Sequence, residues 1–364
     1  MIRILQCVND MHRAGLETML MNYYRNIDRF QIQFDFLTHR PYKSDYDDEI
    51  MALGGKIYHA PRLYPQNYLQ YIKFMKQFFK EHTDYKIIHS HIDSMSYLPL
   101  LTAKKAGVPI RIAHSHNTAI DKDLKLPLKK FFKSQITKSA NYYCACGDEA
   151  GKFLFPGKNY SIIPNAIEID KFLFSPDLRD EIRCELNIKN KFVVGHVGRL
   201  SYQKNHEFLI EIFRRILYVN KNAILLLIGS GEREKEIRKK VQEYNIDSNV
   251  VFLGNRSDVN RLYQAMDVFV MPSLFEGIPV VGVEAQFANL PCFFSDKVPK
   301  EVSFTERCSF ISLNDPVNLW AEQILHYQRD DWRRDVSDLG NRIYNIKQAK
   351  NILTKYYLDL LQGI

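Results

Sequence analysis

The run Phe192-Val-Val-Gly-His-Val197, the turn Gly198-Arg-Leu-Ser-Tyr-Gln-Lys-Asn205, the amphipathic His206–Leu217 and the run Ala223-Ile-Leu-Leu-Leu-Ile228 read in order as strand, turn, helix and strand. Neither flanking run alternates polar and apolar residues. Strands buried on both faces look like this, and such burial belongs to parallel sheets covered by helices. The helical stretch supplies the crossover that parallel strands require.

Working outward, the same grammar repeats. In the first half the β-rich runs are Ile2–Val8, Ile32–Leu37, Lys56–Tyr58, Lys86–Ser90, Ile110–His114 and Asn141–Ala145. In the second half Val250–Leu253, Val268–Met271 and Cys292–Phe294 follow the two already quoted. Amphipathic stretches such as Tyr68–Glu81 and Glu232–Tyr244 separate them. Alternating βαβα predicts an α/β protein with doubly wound parallel sheets. The strands are too many for one ordinary sheet. Two Rossmann-like domains are therefore expected, 1–172 and 173–344, facing each other across a cleft. The seam falls in Ile162–Phe172, and 345–364 is expected as a final helix placed to pack back across the N-terminal domain. No internal repeat is visible.

Composition limits the partners. The chain has 364 residues, 46% hydrophobic and 25% charged, which excludes wholesale disorder and allows two sizeable cores. The formal net charge is +8. Residues 1–172 hold 24 Lys+Arg against 17 Asp+Glu, while 173–364 hold 26 against 25, so the excess belongs to the first half. It points to an anionic partner without choosing among nucleic acid, a membrane surface and a phosphorylated small molecule. The N-terminus is apolar for too short a distance to be a signal peptide, and no run is long enough to span a bilayer. Cysteines 7, 144, 146, 184, 292 and 308 form no C-x-x-C pair, so free buried thiols in a reducing cytoplasm are expected.

In doubly wound sheets ligands bind at the carboxyl ends of strands, near helix N-termini. Arg199 and Lys204 lie in such a loop after Gly198 and suit a diphosphate; they read equally well as surface cations. Pro272-Ser-Leu-Phe-Glu-Gly-Ile-Pro-Val-Val-Gly-Val-Glu-Ala285 is the second place. Its Glu276 and Glu284 would sit about 80° apart on one continuous helix, so a shared helical face does not explain them. Glu276 is better placed in the loop after Val268–Met271, with Gly277 and Pro279 shaping the turn and Glu284 in the early helix. The N–H groups of Ile278, Val280 and Val281 would then face the cleft. Amides at a helix start attract phosphate and two carboxylates repel it, so the carboxylates must accept from neutral hydroxyls. Hydroxyls at both ends and phosphates between describe a nucleotide-sugar. Acidic residues favoured by the helix dipole would account for only one of the two.

These motifs resemble the signature of retaining glycosyltransferases of family 4, which have the GT-B fold. The resemblance rests on Gly198-Arg199-Leu200 with Lys204, Pro272-Ser273 and Glu276-x7-Glu284-Ala285. Ile163–Phe172 is similar to that family's linker, and Phe252-Leu-Gly254 and Leu262–Asp267 match in order and spacing. The first-half motifs look closest to bacterial capsular or exopolysaccharide members. Family members commonly carry Gly where Ala166 and Asn289 stand here, and a Gly pair where this chain has Ala14-Gly15.

The resemblance implies a residue-by-residue site. Arg199, Lys204 and the backbone at Gly15 would bind the donor diphosphate. Glu284 would accept from the ribose, Glu276 with Gly277 would hold the transferred sugar, and the backbone at Asn255 and Arg256 would meet the base. His116 would line the site and contact the sugar. It is one of four histidines, with His89, His91 and His114, that end two neighbouring strands; a metal site and a satisfied core cluster are the other readings. No Asp-x-Asp metal motif is expected after a strand in the cleft-forming loops, so no metal or other cofactor is expected beyond the nucleotide-sugar co-substrate.

The expected activity is therefore a metal-independent hexosyl- or N-acetylhexosaminyl-transfer from a nucleotide-sugar, by family habit a UDP-sugar, to a glycan or polyprenyl-diphosphate-linked acceptor. The segment Asp121–Lys138 holds six Lys against two Asp. Its Lys125, Lys129, Lys130 and Lys133 either dock on the inner face of an anionic membrane or form an ordinary solvated helix face. A nucleotide-sugar 2-epimerase or hydrolase of the same fold is the rival reading. A nucleic-acid-binding protein is disfavoured, because no binding motif accompanies the basic excess.

Overall fold

The computed structural model describes residues 1–120, 125–328 and 342–363. It consists of two compact units, Met1–Ile167 with Arg342–Ile364, and Glu168–Asn341. The first boundary precedes the expected 172/173 because Ile169–Phe172 is tied to the second unit. Lys171 and Phe172 carbonyls accept there from Asn260 Nδ2 at 3.3 Å and Gln264 Nε2 at 3.2 Å. The return boundary precedes the expected 344/345 because Tyr344 is buried in the first unit and its carbonyl accepts from Ile167 N at 2.8 Å.

In the first unit the strands are β1 Ile2–Cys7, β2 Ile32–Thr38, β3 Ile57–His59, β4 Ile87–Ser90, β5 Ile110–Ser115, β6 Tyr142–Ala145 and β7 Ser161–Ile162. Their order is β3-β2-β1-β4-β5-β6-β7, and every pairing is parallel. The second unit holds β8 Phe192–Val197, β9 Ala223–Ile228, β10 Val250–Gly254, β11 Val268–Met271, β12 Cys292–Ser295 and β13 Cys308–Ile311. Its order is β10-β9-β8-β11-β12-β13, again parallel throughout. Both sheets thus reverse their winding beside the first strand, between β1 and β4 and between β8 and β11. These are the switch points at which such sheets open for ligands.

The continuous apolar runs are buried as their composition requires. All six residues of β8 and all six of β9 are buried. Helix His206–Val219 covers one face with Leu209, Ile210, Ile212, Phe213 and Ile216, all fully buried. Each such side chain contributes about 1.5–3 kcal/mol relative to exposure. β7 and β13 lie outside the expected strands: the first is only two residues and ends on Ile162, where the expected linker begins, and the second, Cys-Ser-Phe-Ile, is half-buried at a sheet edge. Cys7, Cys144, Cys146 and Cys292 are buried free thiols as expected, whereas Cys184 is exposed because it faces outward from helix Pro176–Glu185.

The last helix, Ile346–Gln362, packs in the first unit against helix Gly15–Asn26. A parallel bridge joins Ile167 and Asn345, so the two places where the chain leaves and re-enters this unit are hydrogen-bonded to each other. In the second unit Asp267 anchors the incoming segment. It pairs with Arg179 and with Arg183 (2.6 Å) from helix Pro176–Glu185 and accepts from Val193 N at 2.7 Å.

Candidate active site

In the second unit the loops after β8 and β11 are stitched together. Leu274 N donates to Gln203 O at 2.8 Å, Gln203 Nε2 to Phe275 O at 3.0 Å and Asn205 Nδ2 to Pro272 O at 3.1 Å. Asn205 makes this possible by taking a left-handed conformation, φ 54°, at the start of helix His206–Val219. The result is a buried ion pair, Lys204 Nζ to Glu276 Oε1 at 2.6 Å, with Gln203 Nε2 on Oε2 at 3.2 Å. Two residues that the sequence placed in separate motifs are therefore direct partners.

Gly198 serves a purpose other than the turn expected of it. A Cβ there would lie 3.2 Å from Lys204 Cε and 3.2 Å from His196 Nε2. The missing side chain is the space that the lysine stem crosses. Gly229 and Gly231, after β9, are tighter still. Their Cβ atoms would stand 2.2 Å from Gly198 O and 2.4 Å from Leu200 O, and Gly229 has φ +129°. The Gly-Ser-Gly step was missed in the sequence, although a glycine pair directly after an apolar strand was the available signal. Ser230 Oγ between them donates to Asn255 Oδ1 at 3.0 Å, which ties the exposed Asn255 to this loop. Arg256 is turned onto Asp258, with both hydrogen bonds at 2.7 Å. Arg199 is exposed and has no ion pair among the described residues.

Glu284 is the fifth residue of helix Val280–Phe287 and is buried. Tyr263 Oη donates to its Oε2 at 3.0 Å. Burial pushes its carboxyl up to about 7, with the Tyr263 bond opposing the shift. Gly282 N and Val283 N donate to Pro279 O, so the Val280 and Val281 N–H groups precede the helix's first internal bond. Ile278 and Val280 are buried and Val281 is partly exposed. Asn289, where the resembling family has glycine, holds φ 54° and so adopts the conformation a glycine would.

In the first unit Gly15 is exposed at the first turn of helix Gly15–Asn26, after an extended Ala14 at φ −139°. That backbone does not require the absent second glycine. Asp45-Tyr-Asp47 is an Asp-x-Asp in the loop after β2, which corrects the expectation that the strand-end loops lack one. Its carboxylates serve as local caps: Asp47 Oδ2 accepts from Ser44 N at 2.9 Å, and Asp45 Oδ2 from Arg13 N at 3.1 Å.

The four histidines form one cluster at the ends of β4 and β5. His89 and His114 are bonded at 3.1 Å, and His91 and His116 at 3.0 Å. His89 and His91 also reach Tyr357 Oη (2.7 Å) and Gln6 Oε1 (2.8 Å). Burial, reinforced by the neighbouring rings, pushes His89, His91 and His114 well below the usual histidine range; burial alone lowers His116 to about 3. All four are neutral at pH 7. The donor atoms of His89, His91 and His114 lie within 4.8 Å of one another, a set that could hold a metal ion. Five of their six nitrogens already hold hydrogen bonds, His89 with His114 and Tyr357 and His91 with His116 and Gln6, so a metal ion would have to displace these contacts. Asp93, not foreseen, fixes the His116 loop by accepting from His116 N and Asn117 Nδ2, both at 2.8 Å.

The basic segment is helix Leu126–Ser139; Asp121–Leu124 lie outside the described residues. Phe132 and Ile136 are buried in the first unit. Lys125 and Lys133 lie over the rings of Tyr64 (3.8 Å) and Phe153 (3.6 Å), so two of the four expected surface cations are partly spent on cation–π packing. Lys130 and Phe131 face outward. No helix among the described residues is long and apolar enough to cross a membrane.

Two Rossmann-like units, each with an all-parallel sheet, are the architecture of the GT-B fold. Residues 179–305 match the family described as Glycosyl transferases group 1. EpsF of Bacillus subtilis (strain 168), which bears a glycosyltransferase name, is 37% identical over 334 residues, 88% of this chain and 86% of that protein. The chain belongs to the group 1 glycosyl transferases and is a glycosyltransferase. It is also similar to the UDP-Gal:alpha-D-GlcNAc-diphosphoundecaprenol alpha-1,3-galactosyltransferase of Escherichia coli, 30% identical over 303 residues, 76% of each chain. Anabaena HepE, solved in complex with UDP-glucose, matches with a TM-score of 0.79 at 17% identity over 100% of both chains, a likeness of fold.

Proposed function

We propose that the enzyme moves a sugar, with retention and without a metal, from a UDP-sugar to a glycan carried on a lipid diphosphate in capsular or exopolysaccharide assembly. One observation carries this reading: a buried Lys204–Glu276 pair joins the two switch-point loops, and a second buried carboxylate, Glu284, stands on the helix that follows. The E. coli relative is named for a UDP-Gal donor and an undecaprenol-diphosphate acceptor, which supports both substrate classes.

Breaking the sugar–oxygen bond places negative charge on the β-phosphate of the departing UDP. Lys204, Arg199 and the Val280 and Val281 amides stabilise that charge, and Lys204 is already ordered by Glu276. Glu276 accepts from hydroxyls of the transferred sugar and Glu284 from the ribose. In the first unit Gly15 offers its backbone to the diphosphate and His116 contacts the sugar. The departing phosphate takes the acceptor's proton. Fixed cations occupy the electrostatic role that a metal has in other transferases. Lys130 and Phe131 give the protein a peripheral foothold on an anionic membrane.

Incubation with UDP-, GDP- and ADP-sugars, with and without a lipid-diphosphate-linked glycan, tests this. Transfer that needs the acceptor, keeps the anomeric configuration and survives a chelator is expected. Free sugar or a 2-epimer formed without acceptor would instead support the rival activity.

A further inference from the structure

The histidine cluster belongs to a hydrogen-bonded chain, His116–His91–Gln6–Tyr357–His89–His114, in which Gln6 sets the donors of the first branch. Gln6 in β1 bonds two branches at once. Its Nε2 donates to Tyr357 Oη at 3.2 Å and its Oε1 accepts from His91 Nε2 at 2.8 Å. Each neutral imidazole has one N–H and one lone pair, so the protons of the first branch follow by elimination. His91 donates through Nε2, hence its Nδ1 is an acceptor and His116 Nε2 must donate to it. Tyr357 accepts from Gln6 and keeps its own proton and a second lone pair, so its bond to His89 Nδ1, and with it the His89–His114 bond, can run in either direction. His114 Nε2 ends that branch, buried and without a partner among the described residues. Reversing the Gln6 amide would make His91 donate through Nδ1 and so reverse the His91–His116 bond.

We infer that Gln6, held by Tyr357 of the last helix, is a positioning residue that fixes His116 as the Nε2–H tautomer, so that Nδ1 presents a lone pair to a substrate hydroxyl. Burial makes the arrangement unusually consequential. Gln6, His89 and His114 are all fully or almost fully inaccessible, so no water can supply a missing partner cheaply. The geometry also gives the last helix a reason to return to the first unit: Tyr357 lies 351 residues from Gln6 in sequence and bonds both it and His89. The step from tautomer to turnover rests on the proposed role of His116 at the transferred sugar.

The test is ¹⁵N spectroscopy of histidine-labelled enzyme, with the His116 signals assigned by their loss in His116→Asn. The wild type should show His116 in one dominant tautomer, protonated at Nε2. Tyr357→Phe deletes only a hydroxyl and frees the amide to turn; Gln6→Met removes both amide functions and serves as the second variant. Each should give a mixture of His116 tautomers. The turnover number should fall by the fraction that leaves the Nε2–H form, about twofold for an even mixture, with donor KM unchanged. A mixed wild-type signal, or an unaltered His116 signal in both folded variants, overturns the inference. A shifted tautomer with unchanged turnover leaves the Gln6 circuit standing and removes His116 from the proposed sugar site.

Discussion

The two candidate-site clusters, one in each unit, treat buried polar groups in opposite ways, although each unit does the reverse elsewhere: Asp35 pairs with Arg3 in the first, and His196 and His206 lie buried in the second. The second unit buries formal charges and pairs them: Lys204 meets Glu276 at 2.6 Å, and Arg183 meets Asp267 at 2.6 Å. The first unit buries four histidines and keeps them neutral, because desolvation and mutual proximity make a proton on any ring costly. An ion pair complements a charged ligand and resists small changes in pH. A neutral circuit instead offers directed donors and lone pairs to uncharged hydroxyls.

Removing one partner of the charged pair should have the largest effect. Lys204→Met is expected to lower the turnover number by roughly 10²–10³-fold, the usual consequence of losing one preorganised stabiliser of a developing anion. It also strands a buried carboxylate, at a cost of about 3–5 kcal/mol. Adding Glu276→Gln should recover the melting temperature and leave the activity low. Recovery of both would show that the pair is structural, and the contrast between the units would fail.

Glu284 sharpens the contrast, since it is a buried carboxyl without a cationic partner in the described contacts. Its folded value near 7 lies above its ordinary 4.5. The stability it contributes is present in full below about pH 4.5 and lost as pH rises through about 7. Glu284→Gln should therefore raise the melting temperature at pH 8 and hardly at pH 5. The difference corresponds to roughly 3 kcal/mol, on the order of 6 °C for a unit of this size. Calorimetry at the two pH values checks it; equal shifts at both would mean the carboxyl is not destabilised by burial.

The smallest effect concerns the basic helix of the first unit. Lys130→Ser with Phe131→Ser should weaken co-sedimentation with phosphatidylserine vesicles at low salt by on the order of tenfold, a cation contributing about 1 kcal/mol. Unchanged partition would locate any membrane contact elsewhere.

Much of this was legible in the chain itself. Parallel strands were readable because short, continuously apolar runs such as Ala223–Ile228 alternate with amphipathic helical stretches. The Lys204, Glu276 and Glu284 motifs were readable because each sits directly after a strand or opens a helix. Three things were not. The Lys204–Glu276 pairing depends on a loop-to-loop match that spacing along the chain does not encode. Gly229 and Gly231 are required by carbonyls of a different loop. Gln6 and Tyr357 look like a strand residue and a helix residue, and they acquire a role only when β1, β4, β5 and the last helix meet. Boundaries slipped where a turn such as Ile169–Lys171 bonds across to an element distant in sequence.

The central claim is that the switch-point loops of the second unit bind a nucleotide-sugar through Lys204 and Glu276. Thermal unfolding with UDP-sugar tests it most directly, since a ligand that binds the folded state at a hundred times its dissociation constant adds about 2.7 kcal/mol. The account predicts a clear rise in melting temperature for the wild type, and its loss in the double variant Lys204→Met with Glu276→Gln. No shift with UDP-, GDP- or ADP-sugars, or an equal shift in the variant, would contradict it.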